Sequence, residues 1–296
     1  MSQATSASTG KPYGLARVCR VWGSARSTGY WQRHASSAPG ARRGPVGPGT
    51  ADELADPMRR ILAVSPCPGA GYRKVGARLR HDGMRPSPRR VLRLMRAPHR
   101  LAPTRQGHPH GPQAHNGPLL PAQVDTMWGT EMTATYTRED GPVAIFSAVE
   151  HDSAACVGIH AAKPGTRFEA LEPMRPGVRT SCGAFGQDIA HGLLLRHDHG
   201  RQYMSHVLQA ERTFLGITSS PAFVRAPEGN GWAERFSRTL KENLLWLKTF
   251  DPVEALRQAL HAFQRQDNET WLMGRHGYQA PAQVRHEQRC AWADAA

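Results

Sequence analysis

The hydrophobic pattern is densest between residues 128 and 162. Trp128 to Thr137, Val143 to Val149 and Cys156 to Ala162 are strand-like runs, separated by turn residues at Asp140-Gly141 and His151-Asp152-Ser153. The second and third runs are almost wholly apolar, as strands buried on both faces are. A helical stretch follows from near Thr166, then a fourth strand from Leu193 to Asp198, a helix from His206 to Leu215 and a fifth strand from Ile217 to Phe223. A helix spans Gly231 to Trp246. Asp251-Pro252-Val253-Glu254 then reads as a capping box opening an amphipathic helix with Ala255, Leu256, Ala259, Leu260 and Phe263 on its apolar side. The order β-β-β-α-β-α-β-α predicts an α/β fold, a mixed sheet with flanking helices.

Upstream the period is helical and the elements are short. Leu15, Val18 and Trp22 share a helix face before Gly23-Ser24, which predicts a helical hairpin or helix-turn-helix over 1–34. Residues 35–50 have linker composition. Over 51–96 three helices are expected: Asp52 and Glu53 open one that runs to about Val64, Tyr72 to His81 forms the next, and Ser87-Pro88 caps and starts the third after Gly83. In that third helix Val91, Leu94 and Met95 form an apolar stripe, and Arg89, Arg90, Arg93 and Arg96 stand opposite. Such a face binds a phosphate backbone, or is simply a solvated charged surface. Residues 97–123 carry six prolines and four histidines (His99, His108, His110, His115) without an apolar period, so a second extended linker is expected before the domain at 124–245 and a helical extension at 246–296.

Composition fixes where the charge lies. The 296 residues hold 38 Lys and Arg against 24 Asp and Glu, a formal charge of +14. Residues 1–120 carry 20 basic and 4 acidic side chains, net +16, and the rest is net −2. A polyanionic partner therefore belongs to the N-terminal part. With 39% apolar residues the chain can bury a core, and the 29 glycines and 23 prolines agree with linkers. No run reaches the ~20 apolar residues of a membrane span, and the start lacks the apolar core of a secretory signal. A cytoplasmic, nucleoid-associated location without membrane contact is expected. Cys19, Cys67, Cys156, Cys182 and Cys290 form no Cys-x-x-Cys pair, so neither a zinc finger nor a disulfide framework is supported.

Three acids fall where the sheet would gather them: Glu131 on the first strand, Asp198 at the end of the fourth, and Glu234 just inside the following helix. Such a trio can hold two Mg²⁺ ions ~3.5–4 Å apart for phosphodiester chemistry. Arg238 and Lys241, four and seven residues beyond Glu234, share its helix face. An ordinary i, i+4 ion pair is the equally weighted reading of Arg238. Asn230 stands where it could cap that helix. His197 and His199 flank Asp198 without a third ligand, which favours hydrogen bonding or DNA contact over zinc.

The residues around these acids resemble the catalytic domain of insertion-sequence-3-type transposases, relatives of retroviral integrases. The matching stretches are Met127-Trp128-Gly129-Thr130-Glu131-Met132-Thr133, Arg196-His197-Asp198-His199-Gly200-Arg201-Gln202-Tyr203 and Glu228-Gly229-Asn230-Gly231-Trp232-Ala233-Glu234-Arg235-Phe236. Asp198 and Glu234 are separated by 35 residues, the family's spacing, and Lys241 falls on its basic position. Lys11-Pro12-Tyr13-Gly14 and Gly71-Tyr72-Arg73-Lys74-Val75 through Arg96 resemble its N-terminal part. The resemblance implies a ribonuclease-H-like five-stranded core in which Glu131, Asp198 and Glu234 bind Mg²⁺ or Mn²⁺, with Trp128, Gly200, Gln202, Tyr203 and Asn230 in support. It implies DNA strand cleavage and transfer at element ends into target DNA, by a homo-oligomer with no small-molecule substrate.

Three positions depart from the family pattern. Glu131 replaces an aspartate, Glu150 stands where relatives often have aspartate, and Asp267-Asn268 where they often have Tyr-Asn. An added methylene, one bond of about 1.5 Å, exceeds the ~0.5 Å tolerance of a preorganised site. Two readings stay open: an active transposase, or a catalytically impaired DNA-binding remnant of one.

Overall fold

The computed structural model describes residues 5–27, 30, 51–64, 70–97, 101, 121, 123–163, 165–221 and 230–293. Contacts divide the chain into two compact units, Met1–Gly47 and Pro48–Ala296. In the first, α1 (Leu15–Val21) buries Cys19. Trp22, expected on the apolar stripe, is exposed, because the helix ends at Val21 and Trp22 takes the C-cap position. The second helical stretch of this segment and the linker at 35–50 lie mostly or wholly outside the described residues, as does most of 97–123.

The second unit opens with α2 (Ala51–Val64), α3 (Tyr72–His81) and α4 (Pro88–Arg96). These helices share a small core of Leu54, Met58, Val75, Leu79, Val91 and Met95. The start and stop signals act as read: Ser87 Oγ accepts the Arg90 N–H at 3.3 Å, Pro88 is the first helical residue, and Gly83 turns the chain at φ +82°.

The sheet contains β1 (Met127–Thr137), β2 (Gly141–Glu150), β3 (Cys156–Ala162), β4 (Leu194–His197) and β5 (Thr218–Pro221), in the order β3-β2-β1-β4-β5. The β1/β2 and β2/β3 pairs are antiparallel, and β1/β4 and β4/β5 are parallel. This is the ribonuclease-H-like arrangement. Helices α5 (Met174–Cys182), α6 (His206–Phe214), α7 (Gly231–Leu240), α8 (Val253–Thr270) and α9 (Pro281–Ala293) complete the unit. On one face Val143, Ile145 and Ile159 meet Phe236 and Leu240 of α7 and Leu256, Leu260 and Phe263 of α8. On the other, Trp128, Ala148 and Val157 meet Met174, Val178 and Leu215. Burial from both sides explains the near-continuous apolar runs of β2 and β3.

Three local expectations are corrected. Helix α5 starts at Met174 rather than near Thr166, with Pro173 at its N-cap; a residue preceding proline resists helical backbone. The helix expected over Gly231 to Trp246 is α-helical only to Leu240 and continues as a π-helical turn, Lys241–Leu245. The capping box of α8 does not form. Asp140 Oδ2, from the β1–β2 turn, accepts the Val253 N–H at 2.7 Å instead, and Asp251 pairs with Arg138 at 3.1 Å. Among the described residues no helix is long and apolar enough to cross a membrane.

Gly158 lets α5 sit on the sheet. A Cβ there would lie 1.7 Å from the Pro173 carbonyl oxygen, a backbone atom that cannot swing away. Gly158→Ala is therefore expected to cost about 1–3 kcal/mol, the range for forced overpacking. Thermal unfolding checks this, and an unchanged midpoint contradicts it.

Candidate catalytic site

The register of the parallel β1/β4 pair brings two of the acids together. Gly129 is opposite Arg196, and continuing the pairing by two residues sets Glu131 beside Asp198. Strands pair at about 4.8 Å, so the two residues lie on adjacent stretches of chain just beyond the end of β4 at His197. Glu234 arrives from the first turn of α7. Glu131 is half-buried, and Asp198 and Glu234 are exposed.

The charges of this trio act on one another. Burial, then the neighbouring Asp198 and Glu234 carboxylates, push the Glu131 carboxyl up to about 7, while Lys241 and the Asn230 amide pull it down. Lys241 thus lies within electrostatic reach of the acids, as its spacing from Glu234 suggested. Arg238 does not join them: its Nε pairs with Glu242 at 2.9 Å, the ordinary i, i+4 bridge. Among the described residues no group of three or more His, Cys, Asp or Glu side chains is gathered closely enough to hold a metal ion. Two of the acids have local hydrogen-bond partners. Asp198 Oδ1 accepts the Gly200 N–H at 2.8 Å, and Glu131 Oε2 accepts from Asn230 Nδ2 at 3.3 Å.

Asn230 has a different task from the cap expected of it. Its side chain makes no cap bond to α7; Nδ2 donates to the Thr130 carbonyl at 2.9 Å and to Glu131. The helix start is thereby tied to the strand carrying the first acid. Gly129 makes room: a Cβ there would lie 2.5 Å from Asn230 Oδ1 and 2.6 Å from His151 Nε2. A glycine two residues before a strand acid was the sequence signal for this close approach.

The Asp198 loop is braced from below. His197 is buried; its Nδ1–H donates to the Asp198 carbonyl at 2.7 Å, its Nε2 is hydrogen-bonded to Ser219 Oγ at 2.8 Å, and burial lowers its pKa. Tyr203 stacks on it at 5.9 Å between centroids, and burial pushes its phenol up. Gly200 brings Gln202 into this loop, since a Cβ on it would meet Gln202 Nε2 at 2.5 Å. Trp128 is a core residue, fully buried, with Nε1 donating to Asp125 Oδ1 at 3.1 Å. On α4, Arg89, Arg93 and Arg96 are exposed and Arg90 is half-buried, away from the acids in sequence and held by the small helical core. Residues 222–229, including Glu228 and Gly229 of the third motif, lie outside the described residues.

No family model matches the chain. It is similar to the InsD transposase of insertion element IS2 from Escherichia coli, 24% identical over 240 residues that cover 79% of each chain. The InsD transposase of IS2-9 from the same species has the same identity, with 77% of its length covered. The chain is thus similar to insertion-element transposases, the proteins whose motifs its sequence resembles. Among solved structures, a chain of the simian T-cell lymphotropic virus intasome has a TM-score of 0.47 at 17% identity, covering 78% of this chain and 74% of that one. The catalytic core domain of BIV integrase has a TM-score of 0.41 at 20% identity, covering 57% and 99%.

The raised Glu131 pKa has a sign that can be checked. A carboxyl whose pKa rises on folding stabilises the metal-free fold most below its ordinary value of 4.5, and this contribution is lost as pH rises through about 7. Glu131→Gln is expected to flatten the fall in stability over that window, measured by urea unfolding. Glu234→Gln should lower the Glu131 pKa and Asn230→Ala should raise it, both followed by carboxyl-carbon NMR titration. A Glu131 pKa that ignores Glu234 contradicts the grouping.

Proposed function

We propose that the chain is a DNA transposase whose Glu131, Asp198 and Glu234 carry out metal-dependent strand cleavage and strand transfer at the ends of an insertion element. The observation that carries this reading is the β1/β4 register with Glu234 and Lys241 acting on the same carboxyl. Three carboxylates are hard oxygen donors and suit Mg²⁺ or Mn²⁺. When bound, two such ions supply an activated water or sugar hydroxyl and stabilise the leaving oxygen of a phosphodiester.

The chain's own side chains do the rest. Asn230 orients Glu131 from the start of α7. Asp198, one of whose oxygens is held by the Gly200 N–H, would hold a cation together with Glu131 and Glu234, and the cation would offset the repulsion among the three acids. Lys241 places a positive charge where the DNA backbone must approach, and Arg89, Arg90, Arg93 and Arg96 of α4 hold phosphates at a second place. DNA is the partner, with element ends and target as substrates. Joining two ends at once calls for a homo-oligomer, acting on DNA in the cytoplasm.

A second reading, a catalytically impaired DNA-binding remnant, is favoured by Glu131 in place of aspartate and by acids not gathered for ligation among the described residues. Incubating the protein and Mg²⁺ with labelled element-end DNA separates the two. An active enzyme gives cleaved and joined products that disappear completely in Asp198→Ala, and product surviving that change refutes the site. Glu131→Asp is expected to raise turnover by up to about 100-fold, since a 1 Å misplacement can cost that much. An inactive parent that this substitution revives is the remnant.

Binding has its own signature. Removing one side chain that neutralises a phosphate makes the slope of log affinity against log salt shallower by about 0.9. Arg93→Ala should therefore reduce the slope by about one and weaken binding to every sequence alike. A slope that does not change removes α4 from the interface.

A further inference from the structure

Helix α3 carries cations that face inward, toward the catalytic domain. Lys74 and Arg78, one turn apart and both half-buried, meet the end of α8. Lys74 Nζ lies 2.7 Å from the centroid of the Trp271 ring, and Arg78 Nη2 donates to the Thr270 carbonyl at 2.7 Å. Arg80 lies 5.5 Å from the Tyr278 ring. Asp267, on the last turns of α8, is 5% exposed and faces Lys74; burial pushes its carboxyl up to about 7 and Lys74 pulls it down.

A carboxyl this deeply buried is stabilised by a nearby cation, and the cation that acts on Asp267 electrostatically comes from another module. Asp267 is also one of the positions at which this chain departs from the family pattern. Behind it, Asp267 and Trp271 line one small cavity with Trp232, Arg235 and Phe236 of α7. Trp232 is two residues from Glu234, so the cavity beside the α3 contacts is lined in part by the helix carrying the third acid.

We propose that Lys74 and Asp267, with Trp271 and Arg78, form a clasp that docks the α2–α4 module on the catalytic domain, so that both engage one DNA molecule as a single body. The clasp occupies Lys74 and Arg78 of α3 and leaves Arg89, Arg93 and Arg96 of α4 exposed for phosphates. Docking removes the freedom that a tethered module would otherwise lose on binding, which is the basis of effective concentration. Its DNA consequence rests on the transposase reading, whereas the docking itself does not.

The test uses the full chain with Lys74→Glu, Asp267→Lys and the double exchange. Without DNA, wild type is expected to melt in one transition. Each single exchange should lower the midpoint or split off an early transition by about 6 °C or more, and enlarge the radius of gyration in solution scattering. The double exchange should restore both. Single exchanges that change neither quantity, or a double exchange no better than the worse single, overturn the clasp.

Should Asp267→Lys fail to fold, Lys74→Met decides, because it leaves Val75 and Leu79 of the module's core intact. A folded Lys74→Met chain with wild-type radius and melting also overturns the proposal. With a labelled 40-base-pair duplex at fixed salt, the undocked variants should bind about tenfold more weakly. Undocking without weaker binding overturns the single-body role, and absence of DNA binding by wild type overturns the transposase reading instead.

Discussion

Parallel pairing of β1 with β4 is the constraint on which the rest of the site depends. It sets Glu131 on β1 beside Asp198, the residue that follows β4, and two like charges that act on one another repel unless something holds or neutralises them. The surrounding residues read as responses to this problem. Asn230 holds one Glu131 oxygen, the Gly200 N–H holds one Asp198 oxygen, and Lys241 contributes a compensating charge. Gly129 exists in this frame to let the Asn230 side chain pass. The resulting site is strained electrostatically rather than sterically, and binding of a divalent cation is the change that would relax it.

Charge is divided along the chain in the way the two tasks require. The acids belong to the sheet and α7, and the surplus of basic residues belongs to the first 120 positions. Yet the division is not clean in space. Lys74 and Arg78, counted with the basic surplus, are occupied by α8 and its C-terminal segment. Counting charge by segment therefore overstates the cations left open to a partner, whereas Arg89, Arg93 and Arg96 of α4 stay exposed.

Much of the fold was legible because its signals are local. Ser87-Pro88 and Gly83 bounded α3 and α4, and the turn residues at Asp140-Gly141 separated β1 from β2, since caps and turns are decided by side chains within a few positions. The acids of the proposed site were singled out by spacing and by their places at strand ends and a helix start. What stayed hidden was long-range. Asp140 capping α8, Asn230 reaching Thr130 and Lys74 acting on Asp267 each join residues about a hundred or more positions apart, and for α8 and Asn230 local reasoning supplied a nearer partner. Arg238 was the converse: the bland i, i+4 pairing was the one adopted. The π-helical turn after Leu240 left no periodic trace, because one inserted residue shifts a helical stripe by less than the stripe's own width.

The identity of residue 131 remains the chemical pivot of the molecule. A glutamate on β1 reaches one methylene further than an aspartate, and Asn230 meets it there. If that hydrogen bond places the carboxylate correctly, the trio can share ions despite the substitution. Soaking crystals in Mn²⁺ and locating the metal by anomalous scattering addresses this directly. The account predicts density contacted by Glu131, Asp198 and Glu234 together; metal bound without Glu131, or no metal among the three, would contradict it.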